Sequence, residues 1–310
     1  EGCLVLECGS EAFGPTSPMV PVAELARSYL RVERSDDAAS IAEKLREGLA
    51  DIHGEDRDEI VTAFESLLDP DRDAPARPVG SGAERQYRIL NGIAKALLRE
   101  SVRQPLLIVV EDLHWIDAAS RSFVDLMLDQ LRDRRIVVLV SYRPDYQPDW
   151  GHRSYAQLRL ERLSSTEVDQ LLDSLLGADA GLAALKRDLE LQTDGNALFL
   201  EESVQALVEA RILVGVPGAY RLAARSPEIR VPASIQAVLA ARIDRLPPDE
   251  KRILSCAAVI GRRVPHELLA MIAETQPQAL EHVADRLRAA EFLYETRRYP
   301  TREYVFKHAL

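Results

Sequence analysis

Short runs of consecutive apolar residues alternate along this chain with stretches in which apolar residues return every three or four positions. The first pattern predicts buried strands and the second amphipathic helices. Residues 3–8, C-L-V-L-E-C, form an apolar run closed by Gly9 and Ser10 and predict a strand. Gly14, Pro15, Pro18 and Pro21 mark a loop, and helical spacing then predicts helices over 22–31 and 38–52. Residues 69–82, with three prolines and two glycines among charges of both signs, read as an exposed connection. Ile89, Ile93, Leu97 and Leu98 then recur at helical spacing over 86–100, and Pro105 opens L-L-I-V-V, whose β-branched content and lack of alternation predict a fully buried strand. Asp117 is placed to cap a helix with Phe123, Leu126, Met127 and Leu131 on one face, and I-V-V-L-V-S-Y over 136–142 predicts another buried strand. Strand, helix and strand in this order imply a parallel sheet with crossover helices.

Beyond a loop rich in Pro and Asp, a shorter strand is expected over 157–161, followed by a capping box at Ser164 and Glu167 that starts a helix with Val168, Leu171, Leu172, Leu175 and Leu176 on one side. From there to about residue 230 the pattern is helical, with no further buried strand. The segment from Val231 holds three helix-like stretches and then E-F-L-Y-E-T and E-Y-V-F-K-H, separated by a turn with Pro300, which is the plan of a winged helix.

Composition narrows the classes. The 310 residues are 46% hydrophobic, enough for two or three packed units, and no apolar run approaches the length of a bilayer-spanning helix. There is no secretory leader pattern, and Cys3, Cys8 and Cys256 lack metal-ligand spacing, so a reducing, cytoplasmic setting is expected. A net charge of -11 argues against a chain that coats nucleic acid or anionic membrane along its length. The charge is uneven: residues 231–310 hold 12 Lys+Arg against 10 Asp+Glu, a net +2 that leaves -13 for the rest. A local DNA contact there, through Arg242, Arg245, Lys251, Arg252, Arg262 and Arg263, is one reading. The same cations are interleaved with acids, a pattern that more often means a solvated face.

The strongest chemical signal is L-L-I-V-V-E-D-L-H-W-I-D over 106–117, where Glu111 and Asp112 directly follow a buried strand. Open α/β sheets bind ligands at the carboxyl ends of their strands. A hard cation such as Mg²⁺ takes carboxylate oxygens, and a second carboxylate can orient or deprotonate an attacking water. An ordinary strand end ended by two acids gives the same pattern. His114 and Trp115 read as packing and orienting groups, with no second His or Cys at ligand spacing.

Taken together, E-D-L-H-W-I-D, S-Y-R-P at 141–144, D-G-N-A-L-F at 194–199 and the closing F-K-H-A-L resemble the STAND-type signalling ATPases. More narrowly, the chain resembles the AAA-like modules of bacterial regulators joined to nucleotide cyclase, LuxR-type transcription-factor or repeat domains. The resemblance spans essentially the whole chain. It implies an α/β fold: a P-loop NTPase core with a parallel sheet over 1–160, a helical lid over 161–230 and a winged-helix domain over 231–310. It further implies Glu111 and Asp112 as the Mg²⁺-associated acids, Asp112 as the hydrolytic acid and Arg143 as a sensor of the terminal phosphate. Gly195, Asn196 and Ala197 would form the hinge near the adenine, with Ala197 where the family has Pro, and His308 would touch phosphate in the resting state. A helix stop at Gly-Asn, a surface arginine at a strand end and a structural histidine explain the same residues without a ligand.

The implied cofactors are ATP or ADP with Mg²⁺, bound between core and winged helix. The implied function is a switch run by slow regulatory hydrolysis, with effector and sensor domains of the same polypeptide as partners and self-association on activation. Neither membrane contact nor direct DNA contact is implied. One motif is missing: no G-x-x-x-x-G-K-[ST] occurs in the 310 residues. The family carries that loop and its strand just before the position of residues 3–8, so this chain is expected to be a fragment, inactive alone. The rival reading is a scaffold that has lost its nucleotide.

Overall fold

The computed structural model describes residues 2–10, 18–33, 36–68, 81–151, 153, 155–223, 234–261, 263–297 and 302–307. The chain divides into two compact units, residues 1–157 and 158–310.

In the first unit, β1 (Leu4–Gly9), β2 (Leu106–Glu111) and β3 (Ile136–Val140) form a parallel sheet in that order, with Leu6 opposite Ile108 and Ile108 opposite Val138. Between β1 and β2 run α1 (Val20–Leu30), α2 (Ala38–Gly48), α3 (Arg57–Leu68) and α4 (Gly82–Arg103), while α5 (Ala118–Asp129) connects β2 to β3. Period-2 geometry sends Leu6, Cys8, Leu106, Ile108, Val110 and Ile136 to one face, where they are buried in a core with Leu25, Ile93, Leu97 and Phe123 of the helices. Each such side chain contributes roughly 1.5–3 kcal/mol of burial free energy. The opposite face carries Val5, Val137 and Leu139, the last two 62% and 57% exposed.

α4 begins four residues before the predicted helix. Ser81 caps it, its hydroxyl accepting from the Glu84 N–H while the Glu84 carboxylate accepts from the Ser81 N–H. α3 is an addition to the sequence prediction. Its first turn is charged, and only Ile60, Ala63, Phe64 and Leu68 mark the buried side.

The second unit holds two separate cores. α6 (Ser165–Leu176), α7 (Ala183–Thr193), α8 (Ala197–Glu209) and the hairpin β4 (Leu213–Val216) with β5 (Ala219–Leu222) enclose Leu172, Leu176, Leu189, Leu200 and Leu213. α9 (Ile235–Arg245), α10 (Pro248–Ile260), β6 (Arg263–Pro265), α11 (His266–Ile272), α12 (Pro277–Ala289), β7 (Leu293–Arg297) and β8 (Glu303–Phe306) enclose the other, around Val264, Leu269, Leu280, Leu287 and Tyr304. Their antiparallel sheet has the order β6-β8-β7.

Three expectations are corrected. Residues 157–161 form no strand, and Leu158 and Leu160 stand 85% and 87% exposed, with no strand paired to them among the described residues. The hairpin β4–β5 replaces the expected all-helical stretch, turning at Pro217 and Gly218, with Gly218 at φ +76° as such a turn requires. Among the described residues, four helices rather than three precede the closing strands, since β6 separates α10 from α11. Of the predicted connection over 69–82, residues 69–80 lie outside the described residues, as does the Pro300 turn, while Ser81 and Gly82 open α4.

Candidate functional site

Parallel pairing places Gly9 beside Glu111 and Val110 beside Val140, so the residues after the three strands, Ser10, Asp112 and Ser141, meet at one edge of the sheet. The Ser10 N–H donates to the Glu111 carbonyl at 3.3 Å. Asp112 leaves the strand in the left-handed region, φ 54° and ψ 46°, and heads a 3-10 turn over Leu113–Trp115. Such a conformation is uncommon for a residue with a side chain, though Asp tolerates it better than most.

Ser141 holds this bend from the next strand. Its hydroxyl accepts from the Asp112 N–H at 3.0 Å, its carbonyl accepts from the Leu113 N–H at 2.9 Å, and its own N–H donates to the Val110 carbonyl at 3.0 Å. Sequence reading noticed Ser141 only as part of S-Y-R-P. The signal that would have found it is a hydroxyl directly after the apolar run 136–140, which pairs with the acidic strand but is buried on one face only, against the fully apolar surroundings expected. Arg143, two residues on, is exposed and stacks its guanidinium over the Trp115 ring at 4.8 Å, and Trp115 in turn lies 4.4 Å from the His114 ring. Glu111 and Asp112 thus follow one strand, and Arg143 follows the neighbouring strand two residues past Ser141, stacked on Trp115 of the acidic turn.

Behind the acids, Asp117 caps α5, accepting at 3.0 Å from the N–H groups of Ala119 and Ser120, at 2.7 Å from the Ser120 hydroxyl and at 3.2 Å from the Met19 N–H. Burial pushes its carboxyl up, but the bonds from Ser120, Met19 and Ala119 outweigh that and hold it below the usual range. Cys8 is not reactive: burial, with Glu24 and Glu111 nearby, pushes its thiol up to about 12.

The donor chemistry fits a hard divalent cation in part. Glu111 and Asp112 are oxygen donors at a strand end, and the buried Ser10 hydroxyl and both His114 ring nitrogens have no hydrogen-bond partner. Among the described residues no three His, Cys, Asp or Glu side chains cluster as a closed metal cage. A cation held here would take its other ligands from water and from a bound anion. A phosphate cradle of the G-x-x-x-x-G-K-[ST] kind is not encoded in these residues.

Gly195, Asn196 and Ala197 lie in the second unit. Asp194 ends α7 in the left-handed region, and Gly195 follows at φ +71°, so close to Leu163 that an added Cβ would sit 2.4 Å from its carbonyl oxygen. The Gly195 carbonyl accepts from the Leu163 N–H at 2.9 Å. The Asn196 side chain caps α8, accepting from the Phe199 N–H at 3.0 Å, and Ala197 is the exposed first residue of that helix. The trio builds a tight helix-to-helix turn. His308 lies outside the described residues. Arg242, grouped by sequence with solvated cations, is 1% exposed and faces no solvent.

No family model matches the chain. An uncharacterised protein of Rhizobium meliloti (strain 1021) is 29% identical over 233 residues, 73% of this chain and 22% of that protein, so the chain spans about a fifth of the relative's length. Among solved structures, a signal transduction ATPase with numerous domains (STAND) carrying a tetratricopeptide repeat sensor, from Pyrococcus horikoshii, aligns over 99% of this chain and 39% of its own, with 14% identity and a TM-score of 0.47.

Proposed function

We propose that this chain is a part of a nucleotide-dependent signalling switch of the STAND type, in which Mg²⁺-bound ATP is held and slowly hydrolysed to set the state of attached effector and sensor domains. The observation that carries the reading is the strand-end arrangement: Asp112, fixed in a left-handed bend by Ser141, beside Glu111 and Arg143. Mg²⁺ would neutralise phosphate charge during transfer. Glu111 and Asp112 supply carboxylate oxygens toward it. Asp112 also holds the proton of an attacking water, and Arg143, always charged, offers a planar fork to a terminal phosphate.

The division into core, helical lid and winged helix at about residues 160 and 230 belongs to the same proposal. β6, β8 and β7 with α9–α12 support the winged helix, and α6–α8 support the lid. The phosphate-binding loop is assigned to polypeptide outside residues 1–310, since no G-x-x-x-x-G-K-[ST] occurs within them. Direct DNA reading is disfavoured: of the cations that suggested it, Arg242 is buried, and Arg252 is tied to the Ala273 carbonyl at 2.5 Å. His308 keeps its proposed contact with phosphate in the resting state, so His308→Ala should speed release of a fluorescent ADP analogue.

The test is made in the full-length protein that contains this chain. Asp112→Asn should slow ATP hydrolysis about 100-fold or more while leaving ATP affinity nearly unchanged. Glu111→Gln should instead raise the Mg²⁺ concentration required. Parent-like hydrolysis in both variants would reduce the acidic pair to a strand end.

A further inference from the structure

The two cores of the second unit meet at a joint that sets an ionic cluster beside a small apolar seam. Its apolar part among the described residues is small: Phe199 and Ala206 of α8 against Val238 of α9, with Ile235 packed beside them. Next to that seam Arg242 of α9 is almost wholly buried. Its guanidinium pairs with buried Glu202 of α8 and, at 2.9 and 2.6 Å, with Glu209 at the end of the same helix. It also donates to the Ala290 carbonyl at 2.7 Å, just past α12, and lies 4.7 Å over the Phe292 ring. Lys307, immediately after β8, completes the cluster, 3.4 Å from Glu202 and 2.5 Å from Glu291.

One arginine therefore ties three places together: the helix capped by Asn196, the turn before β7 and, through Glu202, the end of β8. An ionic joint differs from an apolar one in how it opens. Separated apolar faces remain unfavourable in water, whereas separated carboxylates and guanidinium regain their hydration. Such a joint specifies one docking geometry through its hydrogen-bond directions without making separation prohibitive.

We propose that Arg242 is the latch of this joint: it fixes α9 and the turn before β7 on α8 in a single arrangement, and its release loosens the joint while each side keeps its own core. The inference stands apart from the nucleotide reading, since it concerns only how two cores of this chain are joined.

Amide hydrogen exchange on the 310-residue chain tests it. In Arg242→Met, amides at the joint, including those of Val238, Phe292 and Lys307, should exchange at least about tenfold faster, while amides within α6, α7 and α12 keep their protection. Glu209→Gln removes one partner and leaves the buried Arg242–Glu202 pair, and should give the same pattern at smaller amplitude. Unchanged exchange at the joint in either variant would overturn the latch. So would loss of protection throughout either core, which would make Arg242 an ordinary structural group. If Arg242→Met does not fold, the pattern in Glu209→Gln decides by the same criterion.

Discussion

At the scale of single residues, the arrangement turns on how Ser141 holds Asp112. The hydroxyl satisfies an amide that left-handed geometry turns away from the strand ladder, so removing it leaves that N–H without its partner and lets the carboxylate drift. Ser141→Ala should lower ATP turnover about tenfold in the full-length protein with little change in KM. Ser141→Thr, which keeps the hydroxyl, should restore it; equal turnover in all three forms would make the bond incidental. Glu111, Asp112 and Arg143 were legible as candidates because a buried strand followed by acids, and another by arginine, is a pattern of residue types. The left-handed φ of Asp112 and the burial of Arg242 were not. The first depends on a hydroxyl 29 positions away in sequence, and the second on carboxylates from a different helix.

At the scale of elements, α5 and the turn at Gly195 carry separable predictions. Asp117 caps α5 and also receives the Met19 N–H beside α1, so Asp117→Ala should cost about 1 kcal/mol or somewhat more at pH 7. Because the folded carboxyl is held below its usual range, its contribution is present above an unfolded pKa of about 3.9 and disappears as pH falls through the lower folded value. Urea unfolding of parent and variant should therefore differ at pH 7 and converge in strong acid; a gap independent of pH would contradict this. Gly195→Ala adds a Cβ against the Leu163 carbonyl at positive φ and should cost about 2 kcal/mol, read as a lower unfolding midpoint.

The helices and strands legible in sequence are those whose apolar period is strong and whose caps are local, such as β2, β3, α5 and the Ser164-capped α6. α3 was hidden by its charged first turn. The hairpin β4–β5 was hidden because only Leu213 and Tyr220 are buried along its two strands, although Pro217 and Gly218 signalled the turn. Residues 157–161 show the reverse error, a strand-like composition with no strand paired to it among the described residues.

At the scale of the whole molecule, among the described residues of the first unit, helices bury one face of the sheet, and Val5, Val137 and Leu139 are exposed on the other. The phosphate-binding loop is proposed to lie in polypeptide outside these 310 residues, which contain no G-x-x-x-x-G-K-[ST]. Residues 1–310 by themselves then have acids for a cation but no cradle for a triphosphate. The most direct measurement is calorimetric titration of ATP with Mg²⁺ into the full-length protein and, in parallel, into residues 1–310. The account predicts saturable, Mg²⁺-dependent binding by the full-length protein and weak or no binding by the shorter chain. Equally tight binding by both, or none by the full-length protein, would contradict it.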